Sequence, residues 1–156
     1  MLNSLNTFDR LRGRHYNGST SSRGDNMTLK QVVTTDQAPD AIGPYSVANR
    51  AGGFIFTAGQ LGLDPTTMEL VPGGIQAETR QALTNLNHVL KAAGSSLENV
   101  VKTTVFLRDI NDFSQMNEVY AQFFSANFPA RSAVQAAALP KGGAVEIEAI
   151  AILKQE

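Results

Sequence analysis

Apart from Lys141 in a turn, three charged side chains interrupt a stretch of mostly apolar and small residues late in the chain, from Pro129 to Ile152. They are Arg131, Glu146 and Glu148. An arginine is a permanent cation whose planar fork of donors suits a carboxylate or phosphate. A carboxylate can take a proton from water. Neither belongs in a sheet built for burial unless it faces solvent or a second surface. Asn117 raises the same question, because it falls within a helical stripe of Phe113, Met116, Tyr120 and Phe124. A buried amide left without hydrogen bonds costs about 1–3 kcal/mol. Asn117 therefore either ties the helix to a loop or lines the edge of a pocket as a ligand amide.

The elements that hold these residues follow from periodicity. Pro129–Ile152 reads as a hairpin whose first strand presents Arg131, Ala133, Gln135 and Ala137 on one face. Its second strand presents Glu146, Glu148, Ile150 and Ile152. A turn at Lys141–Gly143 sets Arg131 against Ile152, Gln135 against Glu148 and Ala137 against Glu146, which puts Arg131 and both glutamates on one face. Arg131 and Glu146 would then lie roughly 20 Å apart, beyond the reach of one side chain. Either these are unrelated surface charges, or Arg131 of one subunit faces Glu146 of the next. Ala133, Ala136, Ala137 and Ala138 leave room for another surface or a small ligand to approach.

Upstream, "KQVVT" is a short strand candidate, and "APDAIGPYS" is a loop that places Tyr45 directly after a Gly-Pro pair. "VANRAGGFIFTAG" predicts a hairpin turning at Gly52-Gly53. Apolar residues at Ala82, Leu83, Leu86, Val89, Leu90 and Ala93 predict a helix over 76–93, stopped by Gly94. "VVKTTVFLR" is a strong strand. Asp112 and Gln115 have the spacing of a capping box for the second helix. The order β, β, β, α, β, α, β, β predicts an α+β layer, with two helices on one face of a mixed sheet.

Composition narrows the function. The chain has 156 residues, 42% hydrophobic and 17% charged, which suits one soluble domain. No apolar run approaches the roughly 18 residues of a membrane-spanning helix. With no cysteine, thiolate nucleophiles, disulfides and cysteine-ligated metals drop out. The two histidines, His15 and His88, offer no plausible metal site or base. A net charge of -1 gives no broad attraction to a polyanion. "GGFIFTAGQLG" lacks the Gly-Lys-Ser/Thr ending of a phosphate loop.

Residues 1–26 are rich in Asn, Ser, Arg and Gly and are followed by Met27. They read as a transit segment, a disordered tail or an expression artefact. Arg10, Arg12, Arg14 and Arg23 favour targeting, and Asp9 and Asp25 count against it. The fold is assigned to residues 27–156. The expected compartment is the cytoplasm, or the mitochondrion if residues 1–26 are a native transit segment.

"PARSAVQAAALPKGGAVEIEAIA" resembles the signature of the RidA/YjgF family of reactive-intermediate deaminases. "AIGPYS", "FTAGQLGLDP", "NVVKTTVFLRDINDF" and "VYAQFF" match the same family in order, so the resemblance spans residues 28–154. It implies a chorismate-mutase-like, ferredoxin-like fold and a homotrimer with clefts between subunits. It implies hydrolysis of 2-imino acids and their enamine tautomers to 2-oxo acids and ammonia, with no cofactor or metal. By resemblance Arg131 binds the substrate carboxylate and Glu146 positions or activates water. Tyr45 and Asn117 line the cleft, backbone N–H groups near Gly59 and Ala133 supplement the anion site, and Glu148 supports. Two departures stand out: Ala58 replaces a common Ser, and Ala133 a common Cys.

Rival functions share the fold. A trimer that binds a small 2-oxo or amino acid without turnover would use Arg131 equally well. An RNA-directed role, as translation inhibitor or ribonuclease, runs against the net charge, the absence of Trp and the lack of a basic run. A holdase would need an exposed apolar patch.

Overall fold

The computed structural model describes residues 30–154, so the segment 1–26 lies outside the described residues. Seven strands and two helices follow in the order β1 (Gln31–Val33), β2 (Ala48–Ala51), β3 (Phe54–Thr57), β4 (Gln60–Leu61), α1 (Gly74–Ala92), β5 (Val100–Leu107), α2 (Phe113–Phe123), β6 (Ala130–Gln135) and β7 (Val145–Ile152). The sheet runs β1-β2-β3-β7-β5-β6, and β4 pairs with β7 beyond the end of β3. Both helices pack on one face, an α+β layer on a mixed sheet. Two-residue β4 is the element that sequence periodicity could not resolve.

Local chemistry explains most boundaries. Gly52 and Gly53, with φ of 55° and 85°, close the β2–β3 hairpin by the tight turn their positions require. Helix α1 ends in a Schellman motif, in which Ser95 N–H donates to Leu90 O and Gly94 N–H to Lys91 O. Its apolar stripe, Ala82, Leu83, Leu86, Val89 and Leu90, is fully buried against the sheet. The capping box at α2 does not form. Asp112 is already helical, whereas Asp109 has the extended backbone of a cap and accepts from Asn111 N–H at 2.9 Å.

The hairpin over Pro129–Ile152 is a larger correction. Strands β6 and β7 do not pair; β5 lies between them, parallel to β6 and antiparallel to β7. β5 is an eight-residue alternating strand that pairs along both edges, and it takes the centre of this half of the sheet. Residues 136–144 therefore close no hairpin: they cross over the end of β5, and the tight turn at Pro140–Gly142 lies within that crossing. Ala136 N–H donates to Leu107 O and Arg108 N–H to Ala144 O on the way. Edge strand β6 is reached from β5 through α2.

The side-chain faces change accordingly. Arg131 pairs with Thr103, which pairs with Ala149. Opposed residues point the same way, so Arg131 and Ala133 share the helix-covered face with buried Thr103 and Ala149. Glu146 and Glu148 pair with Phe106 and Thr104 and point to the opposite, open face. The single-face arrangement of Arg131 with both glutamates is overturned.

Candidate active site

Arg131 is half-buried at the sheet edge under α2. Its guanidinium carbon lies 4.6 Å from the centroid of the Tyr120 ring and 5.4 Å from that of Phe113. Such stacking fixes the plane of the fork as well as stabilising its charge. Nη1 donates to Asn117 Oδ1 at 2.8 Å. Asn117 is exposed rather than buried, and its partner is this arginine instead of a loop. Tyr120 in turn shares a 2.8 Å hydrogen bond with Thr103 Oγ1. Burial pushes the Tyr120 phenol up, against the opposing pull of that bond and of the Arg131 charge. One helix face thus holds the cation from two sides.

A second cluster forms where β3 gives way to β4. The chain leaves β7 at Thr57, whose hydroxyl accepts from Ala149 N–H at 2.9 Å, and rejoins it at Gln60. In that interval Gly59 passes directly against Glu146. A Cβ at position 59 would lie 1.9 Å from Glu146 Oε1 and 2.6 Å from Cδ and Cγ. Glycine is required here by close approach rather than by its backbone angles. Burial pushes the Glu146 carboxyl up, and the neighbouring Glu148 charge adds to the shift. Tyr45 and Gly59 line a small adjoining hollow with Ile42, Leu61 and Leu63. The Tyr45 hydroxyl accepts from Ile42 N–H at 3.3 Å, which leaves its own proton to be donated elsewhere.

The residues singled out in the sequence therefore fall into two groups. Arg131, Asn117 and Ala133 belong to one, and Glu146, Gly59 and Tyr45 to the other. Within a chain, Arg131 and Glu146 stand two strands and three residues apart, roughly 14 Å between backbones, and they face opposite sides of the sheet. Neither group completes the other inside one chain. Sequence reasoning placed Tyr120 and Phe113 only in a core stripe; the signal for more was their i+3 and i−4 spacing around Asn117.

Among known proteins, residues 35–153 match the family described as Endoribonuclease L-PSP. The chain is 57% identical over 124 residues to 2-iminobutanoate/2-iminopropanoate deaminase of Bos taurus and 55% identical to that of Homo sapiens. Each match covers 80% of this chain and 90% of the relative. The crystal structure of RidA from Psychrobacter sp. PAMC 21119 is 49% identical with a TM-score of 0.76, covering 79% of this chain and 99% of that one. E. coli TdcF with bound serine is 44% identical with a TM-score of 0.76, covering 80% and 99%. Sequence and architecture agree across nearly all of the described chain: it belongs to the endoribonuclease L-PSP family, the group that includes YjgF and RidA.

Proposed function

We propose that the protein is a hydrolytic deaminase of small 2-imino acids and their enamine tautomers, acting as a homotrimer with sites between subunits. One observation carries this most directly. Arg131 is braced by Asn117 and two rings, and among the described residues no carboxylate lies within salt-bridge reach of it. Its charge is available to an anionic ligand. The relatives named 2-iminobutanoate/2-iminopropanoate deaminase point to the class of that ligand.

The chemistry needs little more. Arg131 takes the substrate carboxylate through two parallel N–H···O bonds. The protonated imine is already electrophilic, so holding it and aiming a water supply most of the help. Glu146 accepts a proton as the water oxygen bonds to the imine carbon and the C=N π pair moves to nitrogen. The resulting carbinolamine collapses: Glu146 returns its proton to nitrogen, a hydroxyl lone pair forms C=O as the C–N bond breaks and ammonia leaves, and Glu146 takes the hydroxyl proton and passes it to the ammonia, giving the 2-oxo acid and ammonium. A carboxylate with a raised pKa is a stronger base for the first step than an ordinary surface glutamate. Tyr45 donates a hydrogen bond beside it, Glu148 tunes it by charge, and Asn117 holds the guanidinium.

Two half-sites on opposite faces of one chain motivate the trimer, in which a neighbour brings its Glu146 half to Arg131. The open sheet face also exposes Phe54, Phe56, Val134 and Ile152, which assembly would cover. An RNA strand would instead call for a row of cations and stacking faces, where the Arg131 half-site offers one cation.

The test is imine decay in a coupled assay. A pyridoxal-phosphate dehydratase generates 2-iminobutanoate, and semicarbazide traps what survives. Accelerated hydrolysis is expected of the wild type and lost in Arg131→Ala. Co-refolding Arg131→Ala with Glu146→Gln is expected to restore about one quarter of wild-type activity, the share of intersubunit sites that random mixing leaves intact. No acceleration by the wild type would refute the deaminase. No restoration on mixing would refute the composite site.

A further inference from the structure

Helix α1 carries a polar stripe inside its buried face that the reaction leaves unused. Glu78, Gln81 and Asn85 fall at i, i+3 and i+7, and Glu78 and Asn85 are only 6% and 0% exposed. The contacts that leave the helix end on segments that flank Glu146. Glu78 Oε2 accepts from Ala144 N–H at 2.7 Å, two residues before Glu146 on β7. Asn85 Nδ2 donates to Leu61 O at 3.1 Å and to Leu63 O at 2.9 Å. Leu61 is the β4 residue paired with Glu146. Gln81 Nε2 donates to Asn85 Oδ1 at 2.9 Å, which turns the Asn85 amide donors toward those carbonyls. The fit is tight as well as polar, because a Cβ on Gly62 would come within 2.5 Å of Glu78 Cα.

We propose that Glu78 and Asn85, with Gln81 bracing Asn85, are positioning residues that hold β4 and the start of β7 so that the Glu146 side chain stays pressed against Gly59. A buried carboxylate spent on one backbone N–H is an expensive way to hold a loop. An apolar residue would fill the space with less desolvation but would leave Ala144 N–H without a partner. The same two anchors secure both walls of one side chain, while Arg131 sits on edge strand β6, two strands from β7, and touches none of them. The stripe therefore governs the water-activating half of the site and spares the anion-gripping half.

This inference rests on the proposed role of Glu146, and its test has one readout that does not. Glu78→Leu, Glu78→Gln and Gln81→Leu are purified and checked for assembly by light scattering. The Glu146 carboxyl is titrated by carbon-detected NMR, assigned by its loss in Glu146→Gln. In Glu78→Leu and Gln81→Leu the Glu146 titration is expected to fall toward that of a solvated glutamate, with kcat down tenfold or more in Glu78→Leu and at least threefold in Gln81→Leu. KM is expected to stay within twofold in both, and Glu78→Gln, which keeps an acceptor oxygen, is expected to recover most of kcat. If Glu78→Leu does not fold, Gln81→Leu decides alone. An unmoved Glu146 titration in folded Glu78→Leu or Gln81→Leu overturns the proposal, as does a KM that rises in step with the loss of kcat. A wild type without imine hydrolysis would remove the deaminase reading while leaving the titration test intact.

Discussion

Replacing Gly59 by alanine adds one methyl group at the point where the chain presses on Glu146. The new Cβ would lie 1.9 Å from Oε1 and 2.6 Å from Cδ and Cγ, well inside van der Waals contact. Gly59 is not among the residues with positive φ, so alanine brings no backbone strain, and the whole effect lies in that collision. The atoms struck belong to a flexible side chain whose far end can swing away. Its cost is one rotamer change plus modest overpacking, together about 1–2 kcal/mol of stability. The effect on rate is larger. A base moved by an ångström or more loses about 10²-fold in rate, within the 10²–10⁴-fold that a positioned proton acceptor contributes. Gly59→Ala is therefore expected to lower kcat about 100-fold while Tm falls by only a few degrees and KM for the imine stays near wild type. Urea melts and the semicarbazide-coupled assay on the same preparation separate the two effects. Full kcat in a folded Gly59→Ala enzyme would refute the assignment of Glu146 as the water-activating group.

Other perturbations test neighbouring parts of the site. Arg131→Lys keeps the charge but loses the planar fork, its stacking on Tyr120 and Phe113 and its fit to Asn117; the loss of about one charge-assisted hydrogen bond should raise KM at least tenfold, read from saturation curves. Glu146 must be ionised to accept a proton, and its pKa is raised, so kcat should fall with acidification at a higher pH than an ordinary glutamate would set. Glu148→Gln removes the repelling charge, lowers the Glu146 pKa and should move that acid limb to lower pH, visible in a pH–rate profile. For stability the sign is opposite: the folded state holds this proton more tightly than the unfolded chain, so the contribution is favourable at low pH and lost as pH rises through the folded pKa. Tyr120→Phe leaves the ring beneath Arg131 but strands the buried Thr103 hydroxyl, so it should cost about 1–3 kcal/mol in denaturant melts with KM changed little.

Local signals were legible in the sequence, and pairing partners were not. Gly52-Gly53 and Gly94 mark their turn and helix end because few other residues adopt those angles. The stripe from Ala82 to Leu90 marks α1 because burial against a sheet imposes a 3.6-residue period. Strand neighbours obey no such local rule. β6 and β7 follow each other in sequence with a turn-like Lys141-Gly142-Gly143 between them, yet β5 separates them because both of its edges were open to pair. Alternation fixes which residues share a strand face but not which way that face looks. Glu78 and Asn85 were equally hidden, since polar residues inside an apolar helical stripe show their purpose only once the backbone groups they meet are known.

The error over the hairpin bears on the site itself. With Arg131 and Glu146 on one face, distance alone would have kept them apart, and a modest shift of register could have brought them together. On opposite faces the sheet itself stands between them, and only an odd register slip, which would turn the buried side chains of that strand outward, could change it. Each half is nonetheless built with care: a guanidinium held by an amide and two rings, and a carboxyl wedged over a glycine between two anchored strands. Holding a half-buried guanidinium and a half-buried carboxyl partly out of water, with no opposite charge beside either, costs a lone chain stability. They are understandable as parts of one reaction centre if a second copy supplies the missing half. The expense of each half-site is thus an argument for assembly that does not depend on the likeness to any other protein.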